Sequence, residues 1–152
     1  MKTATTDRLL RSLPVLPCAC ANLRRAARAV TRMYNQELRA TGLELTQYTL
    51  LMALDLTGET AQGNLGRMLA LDTTTLTRML GLLRKQGWIA VHQGADRRRR
   101  LISLTVSGRQ KLQQSRHHWK RAQEQLKQML GEETWGQMGK LFAEVTRVSV
   151  KR

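Results

Sequence analysis

At 152 residues the chain is long enough for one domain with a real core and too short for two independent ones. Hydrophobic residues make up 41% but aromatics only 4%, a Leu-, Ala- and Met-rich mix that suits helices and excludes a typical β-sandwich core. Lysine plus arginine number 26 against 11 acidic residues, a net charge of +15, so the partner expected is a polyanion: duplex DNA, RNA or an anionic membrane surface.

In chain order, Pro14 and Pro17 bracket the entry to the first ordered element, and the residues before them read as a mobile arm. From Cys18 to Thr41, the apolar positions Leu23, Ala26, Ala27, Val30, Met33, Tyr34 and Leu38 recur at three and four, with Arg24, Arg25, Arg28, Arg32 and Arg39 between them. This predicts a long amphipathic helix that Gly42 ends. Thr46 is the expected cap of a second helix carrying Tyr48, Leu50, Leu51, Leu54 and Leu56, closed by Gly58. A short third helix holds Leu65, Met68 and Leu69. Asp72 or Thr73 caps a fourth, with Leu76, Leu80 and Leu83 as its inward stripe and Gly87 as its stop. The period then changes. Trp88 to His92 is a β-prone run, Gln93 to Asp96 a turn, and Leu101 to Thr105 a return strand. Helical periodicity resumes past Ser107 through Leu112, Trp119, Ala122 and Leu126. It continues beyond Gly131 through Trp135, Met138, Leu141, Phe142, Val145 and Val148.

Two short helices, a tight turn, a further helix and a hairpin make a winged helix-turn-helix. The fold class expected is therefore mainly α with a small β-hairpin wing, dimeric through its N- and C-terminal helices. The expected divisions are an arm (1–17), an N-terminal dimerisation helix (18–45), a DNA-binding lobe (46–106) and C-terminal dimerisation helices (107–152). The helix opened by Thr73, Thr74 and Thr75 can approach a duplex closely, and threonine methyls suit thymine C5-methyl groups. Thr77 and Arg78 follow on it, with the Arg78 guanidinium placed to fork onto guanine, and Arg84 and Lys85 in its last turn. Taken alone, the threonines are better explained as helix caps and Arg78 as a solvated charge. The hairpin tips the balance: Asp96 precedes Arg97, Arg98, Arg99 and Arg100, a concentration of like charge better explained by a nearby polyanion than by the alternative, a solvated basic loop. Arginine in a narrow minor groove reads groove width, and Asp96 is expected to hold Arg98 aimed. Residues 61–100 carry eight basic side chains against two acidic ones, so the charge gathers where the motif is. The apolar faces of the first and last helices exceed what one small lobe can cover, which predicts a twin and a pseudo-palindromic operator with half-sites about one turn, ~10 bp, apart.

The string LALDTTTLTRMLGLLRKQGWI from Leu69 to Ile89 and GADRRRRLISLTVSG from Gly94 to Gly108 resemble the multiple-antibiotic-resistance regulator (MarR) family. The resemblance covers about residues 18–150. Its most specific parts are D-x-R in the wing (Asp96, Arg98) and L-T-x-x-G after it (Leu104, Thr105, Gly108). The upstream G-L-x-x-T-Q pattern stands as Gly42, Leu43, Thr46 and Gln47. It implies a dimeric transcription regulator, usually a repressor, released from DNA by a small phenolic or aromatic ligand or by thiol oxidation. The resemblance also reaches a hydroperoxide-sensing branch, whose reactive cysteine Cys20 matches in distance from Gln47 and whose cysteine-contacting tyrosine Tyr34 matches in place. Leu45 stands where that branch has a second tyrosine, and Arg24 where it has another aromatic.

Cys18 and Cys20 are the only cysteines, at an expected helix N-terminus with Arg24 and Arg25 within about a turn. That setting resembles those of redox-active thiols, against the alternative of inert buried cysteines. On a helix the two point about 200° apart, so they are read as reduced thiols. No metal or cofactor is expected: His117 and His118 are adjacent, His92 is remote, and no pair has the i, i+4 spacing of a shared ligand set. No nucleophilic triad, carboxylate pair or phosphate-cradling loop suggests an enzyme. No run approaches the ~20 apolar residues of a membrane span and Met1 to Pro17 lacks an apolar h-region, so a cytoplasmic protein with no membrane partner is expected. The competing reading is a non-specific basic architectural or RNA-binding protein. With one Phe and two Tyr, it is poorly supplied with stacking rings and wedges. A third, a thiol-redox enzyme or membrane-surface protein, rests only on basic helices and the two thiols.

Overall fold

The computed structural model describes residues 14–96 and 99–150. The arm expected before Pro14, and Arg97 and Arg98 of the wing, lie outside the described residues. The chain falls into two compact units divided between Arg32 and Met33.

In the first unit, the segment from Pro14 is fastened to the opening of α1 (Ala19–Leu38). The Asn22 side chain accepts from the Leu16 amide at 3.0 Å and donates to the Leu16 and Cys18 carbonyls at 2.7 and 3.0 Å. Arg25 donates to the Pro14 carbonyl at 3.0 Å. α1 begins at Ala19, one residue later than its periodicity predicts, because the Cys18 carbonyl already accepts the first helical bond from Asn22. α1 ends at Leu38, earlier than Thr41, and a 3-10 turn (Arg39–Thr41) tightens the exit until Gly42 turns left-handed at φ 70°.

The second unit contains α2 (Leu45–Thr57), β1 (Thr60–Ala61), α3 (Gln62–Leu69), α4 (Thr73–Lys85), β2 (Ile89–Gln93), β3 (Arg100–Leu104), α5 (Val106–Leu130) and α6 (Glu132–Val150). Thr46 is not the cap of α2. Glu44 is, its amide donating to Gln47 Oε1 at 3.0 Å, while the Leu45 amide donates to Asn35 Oδ1 at 2.7 Å. The core is almost all leucine: Leu38, Leu50, Leu51, Leu54, Leu65, Leu76, Leu83 and Leu112, joined by Tyr48, Ile89 and Ile102. Tyr48 stacks on Trp119 with centroids 5.6 Å apart, binding α2 to α5. Leu56, expected with the inward residues of α2, is 73% exposed. Two residues past Leu54 it stands ~200° round the helix, facing away from the core.

The sheet has three strands in the order β1-β3-β2, all antiparallel, with Ile89 opposite Leu104 and Gln93 opposite Arg100. The hairpin strands are shifted by one residue from the expected runs, and β1 was not anticipated. It pairs Thr60 with Ile102 and Ala61 with Leu101, tying the entry of α3 to the wing.

The L-T-x-x-G string forms the joint between this sheet and α5. Thr105 caps α5 by accepting from the Gly108 amide at 3.0 Å, and its hydroxyl donates to the Gly87 carbonyl at 2.6 Å. Its amide donates to the Trp88 carbonyl at 3.1 Å. Gly108 packs so closely there that a Cβ would fall 1.9 Å from the Trp88 oxygen. Lys111, one turn on, donates to the Thr41 carbonyl and lies 5.3 Å from the centre of the Trp88 ring. Further along, Asp55 of α2 pairs with Arg109 and Arg116 at 3.4 and 3.5 Å, and Glu37 with Arg121 at 3.3 Å. α6 buries no residue, leaving Leu141, Phe142 and Val148 exposed.

Candidate nucleic-acid interface

The turn between α3 and α4 starts at Ala70, which takes the left-handed conformation at φ 51° and lets the Leu71 amide return to the Gly66 carbonyl at 2.9 Å. Gly66 is buried and its missing side chain matters. A Cβ would meet the Leu71 oxygen at 3.3 Å and Leu76 at 3.4 Å, so any larger residue here would press on the turn between α3 and α4.

Asp72, rather than Thr73, caps α4. Its carboxylate accepts from the Thr75 amide at 2.8 Å and from the Thr75 hydroxyl at 2.7 Å. The Thr75 hydroxyl is the main reason that the Asp72 carboxyl sits below its ordinary range, with the Thr75 amide adding to it. At its other end α4 closes with the two backbone bonds of a Schellman motif: Gly87 N–H to the Arg84 carbonyl at 2.9 Å and Trp88 N–H to the Leu83 carbonyl at 3.1 Å. Between these ends, Leu76, Leu80 and Leu83 face the core. At 100° per residue, Thr73, Thr74, Thr77, Arg78, Gly81, Arg84 and Lys85 share one outward arc of ~140°, and all are exposed. Gly81 sits mid-arc with nothing within 4 Å of where its Cβ would be, so the centre of the face is open.

The threonines divide by role. Thr73 and Thr74 are exposed, Thr75 is half-buried and committed to Asp72, and Thr77 accepts from Gln62 Nε2 at 2.9 Å while remaining exposed. Arg78 leans over a groove of about 510 Å³ between α2 and α4, lined also by Glu44, Gln47, Leu50, Thr75 and Met79. On the other side of α4 a cleft of about 760 Å³ gathers Arg67, Asp72, Thr73 and Arg100.

At the wing, the Gly94 amide donates to the Arg99 carbonyl and the Arg99 amide to the Asp96 carbonyl, both at 2.8 Å. Asp96, Arg99 and Arg100 are exposed. The expected Asp96–Arg98 pairing lies outside the described residues. At the base of the wing His92 meets Glu59 at 2.5 Å.

The structure therefore brings Thr73, Thr74, Thr77, Arg78, Arg84 and Lys85 onto one helix face and puts Asp96 and Arg99 on the adjoining hairpin. Two contributors lay outside the expected interface: Gln62, which positions Thr77, and Arg67, which lines the cleft beside Thr73 together with the expected wing residue Arg100. Arg67 was visible in the charge count of this stretch. Gln62 carried no signal, since its role depends on a contact 15 residues away.

A family model described as the MarR family matches residues 41–99. The crystal structure of the M. tuberculosis transcriptional regulator MosR in complex with DNA is 32% identical, over 87% of this chain and 96% of that one, with a TM-score of 0.80. The chain belongs to the MarR family. A probable transcriptional regulator of Pseudomonas aeruginosa is 27% identical over 85% of this MarR-family chain and 97% of its own, with a TM-score of 0.77. An uncharacterized HTH-type transcriptional regulator of Bacillus subtilis is 28% identical over 92 residues, 60% of this chain and 67% of that protein. This MarR-family regulator has the winged-helix fold that its periodicity predicts.

Cys18 and Cys20 are both exposed, Cys18 just ahead of α1 and Cys20 in its first turn. Cys18 is thus outside the helical geometry that would hold two such side chains ~200° apart. Tyr34 is buried, which pushes its phenol up, and its hydroxyl donates to Gln123 of α5. His117 and His118 are edge-on neighbours with centroids 5.8 Å apart, and no group of three metal-binding side chains occurs among the described residues. No described helix is long and apolar enough to cross a membrane.

Proposed function

We infer that this chain is a homodimeric, sequence-specific binder of duplex DNA that represses transcription from a pseudo-palindromic operator. The observation that carries the reading is the single outward arc of α4, in which small threonines and an open glycine are bordered by Arg78, Arg84 and Lys85, with the arginine wing beside it. An arc of this shape fits the major groove, where base edges are read, while Arg97 to Arg99 with Asp96 flank it at the minor groove. The MosR structure holds DNA with a similar fold, which supports the same partner here.

That α6 has no fully buried residue and leaves Leu141, Phe142 and Val148 exposed supports dimerisation through the terminal helices, residues 18–45 and 107–152, around the lobe at 46–106. Release from DNA follows modification of Cys18 or Cys20, whose exposure makes them accessible to an organic peroxide, or occupation of the groove beside Arg78 by a small aromatic ligand.

The test is selection from a random duplex library by the purified protein, with and without organic hydroperoxide, repeated with Cys20→Ser. Enrichment of a two-fold motif with half-sites ~10 bp apart is expected. Equal retention of all duplexes would replace this reading with a non-specific architectural role. Peroxide release that persists in the Cys20→Ser protein and vanishes in Cys18→Ser would move the sensing thiol.

A further inference from the structure

The first unit carries a charge pattern that the winged helix does not use. No acidic residue stands between Asp7 and Glu37, and every basic residue in that interval is an arginine. Arg25 is committed to the Pro14 carbonyl and to Asn22. Arg24, Arg28 and Arg32 are all exposed, and none meets a carboxylate among the described residues. They stand at i, i+4 and i+8 on α1, so at a rise of 1.5 Å per residue they form a row ~12 Å long. The row lies roughly 150° round the helix from Leu23 and Val30, leaving those apolar residues free to pack elsewhere.

Like charges at i, i+4 destabilise a lone helix, and here two such pairs follow one another with no acidic side chain to offset them. An extended anion would offset that repulsion along the whole row. One strand of duplex DNA presents a phosphate every 3.4 Å along the axis, so ~12 Å spans three to four phosphates. Arginine rather than lysine also fits, because its planar fork meets two phosphate oxygens at once.

We propose that Arg24, Arg28 and Arg32 form a phosphate-binding ridge that grips the DNA backbone in addition to the contacts of α4 and the wing. The inference rests on the DNA-binding reading above. The ridge reads no bases. It adds affinity to operator and non-operator duplex alike, and it makes binding steeper in salt.

The experiment compares the full-length parent with an R24Q/R28Q/R32Q variant and a charge-keeping R24K/R28K/R32K variant, binding the selected operator and a scrambled duplex in 50 to 200 mM KCl. Three phosphate contacts contribute about −2.7 to the slope of log affinity against log salt, so over this fourfold range each ridge accounts for about 40-fold of the parent's loss. The glutamine variant should lose that part of the slope on both duplexes while keeping the parent's preference for the operator. The lysine variant should keep most of the slope.

An unchanged slope in the glutamine variant would overturn the ridge and leave the operator reading intact. A weakened but equally steep variant would also overturn it, by showing damage to folding or assembly instead of lost charge. Parent protein that binds phosphatidylglycerol vesicles through these arginines, with its DNA slope unaffected by their removal, would assign the row to a lipid surface. Parent protein with no operator preference would sink the underlying reading, whatever the arginines do.

Discussion

Gly108→Ala tests the joint between the DNA-binding lobe and α5. The added Cβ would lie 1.9 Å from the Trp88 oxygen and 2.8 Å from its carbonyl carbon, both backbone atoms that cannot swing aside. Ordinary contact needs about 3.4 Å, so the start of α5 and the Trp88 strand entry must separate by ~1.5 Å. That shift pulls apart the Thr105 amide bond to Trp88, the Thr105 hydroxyl bond to Gly87 and the cap on Gly108. Overpacking of this kind costs ~1–3 kcal/mol, and a lost cap ~1 kcal/mol more. A loss of roughly 3 kcal/mol in a chain of this size lowers Tm by about 6–12 °C. Thermal melting followed by circular dichroism measures it directly, with operator binding below the transition as a second readout. A Gly108→Ala protein melting within 2 °C of the parent would refute the packing argument, and with it the account of why L-T-x-x-G ends in glycine.

Four further outcomes follow from the same geometry. Gly81→Ala, where the new methyl meets nothing within 4 Å, should raise stability by ~0.5–1 kcal/mol in urea melts while crowding the DNA face and weakening operator binding. Ala70→Gly should also stabilise, by ~1 kcal/mol, because it removes the strain of a left-handed alanine; a lower Tm would contradict that. Asp72 has its carboxyl held below the ordinary 3.8 by Thr75, so its contribution is present above that value and fades as pH falls through the lower folded one. The Tm gap between the parent and Asp72→Ala should therefore be full at pH 6–7 and shrink toward pH 3, whereas a pH-independent gap would discount the charge. Arg78→Ala should relax specificity at one base position by ~1–3 kcal/mol; a uniform loss across sequences would place its guanidinium on phosphate.

The helices were readable because leucines at three and four must be buried together, and because glycines at 42, 58 and 87 stop helices at the positive-φ ends that they favour; the break at Gly131, read only as a point the period continues past, is of the same kind. What escaped notice lacks any period. β1 is two residues long and exists only because β3 offers it a partner. The cap of α2 was misplaced because Glu44 and Gln47 share the work with Asn35, ten residues upstream of Leu45, and no local rule joins those positions. The proposed DNA face was half legible. Residue types marked Thr73 to Arg78 and the wing, but that Thr75 is bound to Asp72 and Thr77 to Gln62 depends on how the helices meet.

α5 spans 25 residues, ~37 Å, from its bonded foot at Thr105 and Lys111 to Leu130. A rod so firmly held at one end turns small angles into useful distances. Tilting it by ~5° sweeps one end past the other by about 3 Å, close to the 3.4 Å step between neighbouring base pairs. On the binding mode proposed above, a disturbance at the far end of α5 too slight to alter its packing class would thus suffice to carry α4 one base out of register.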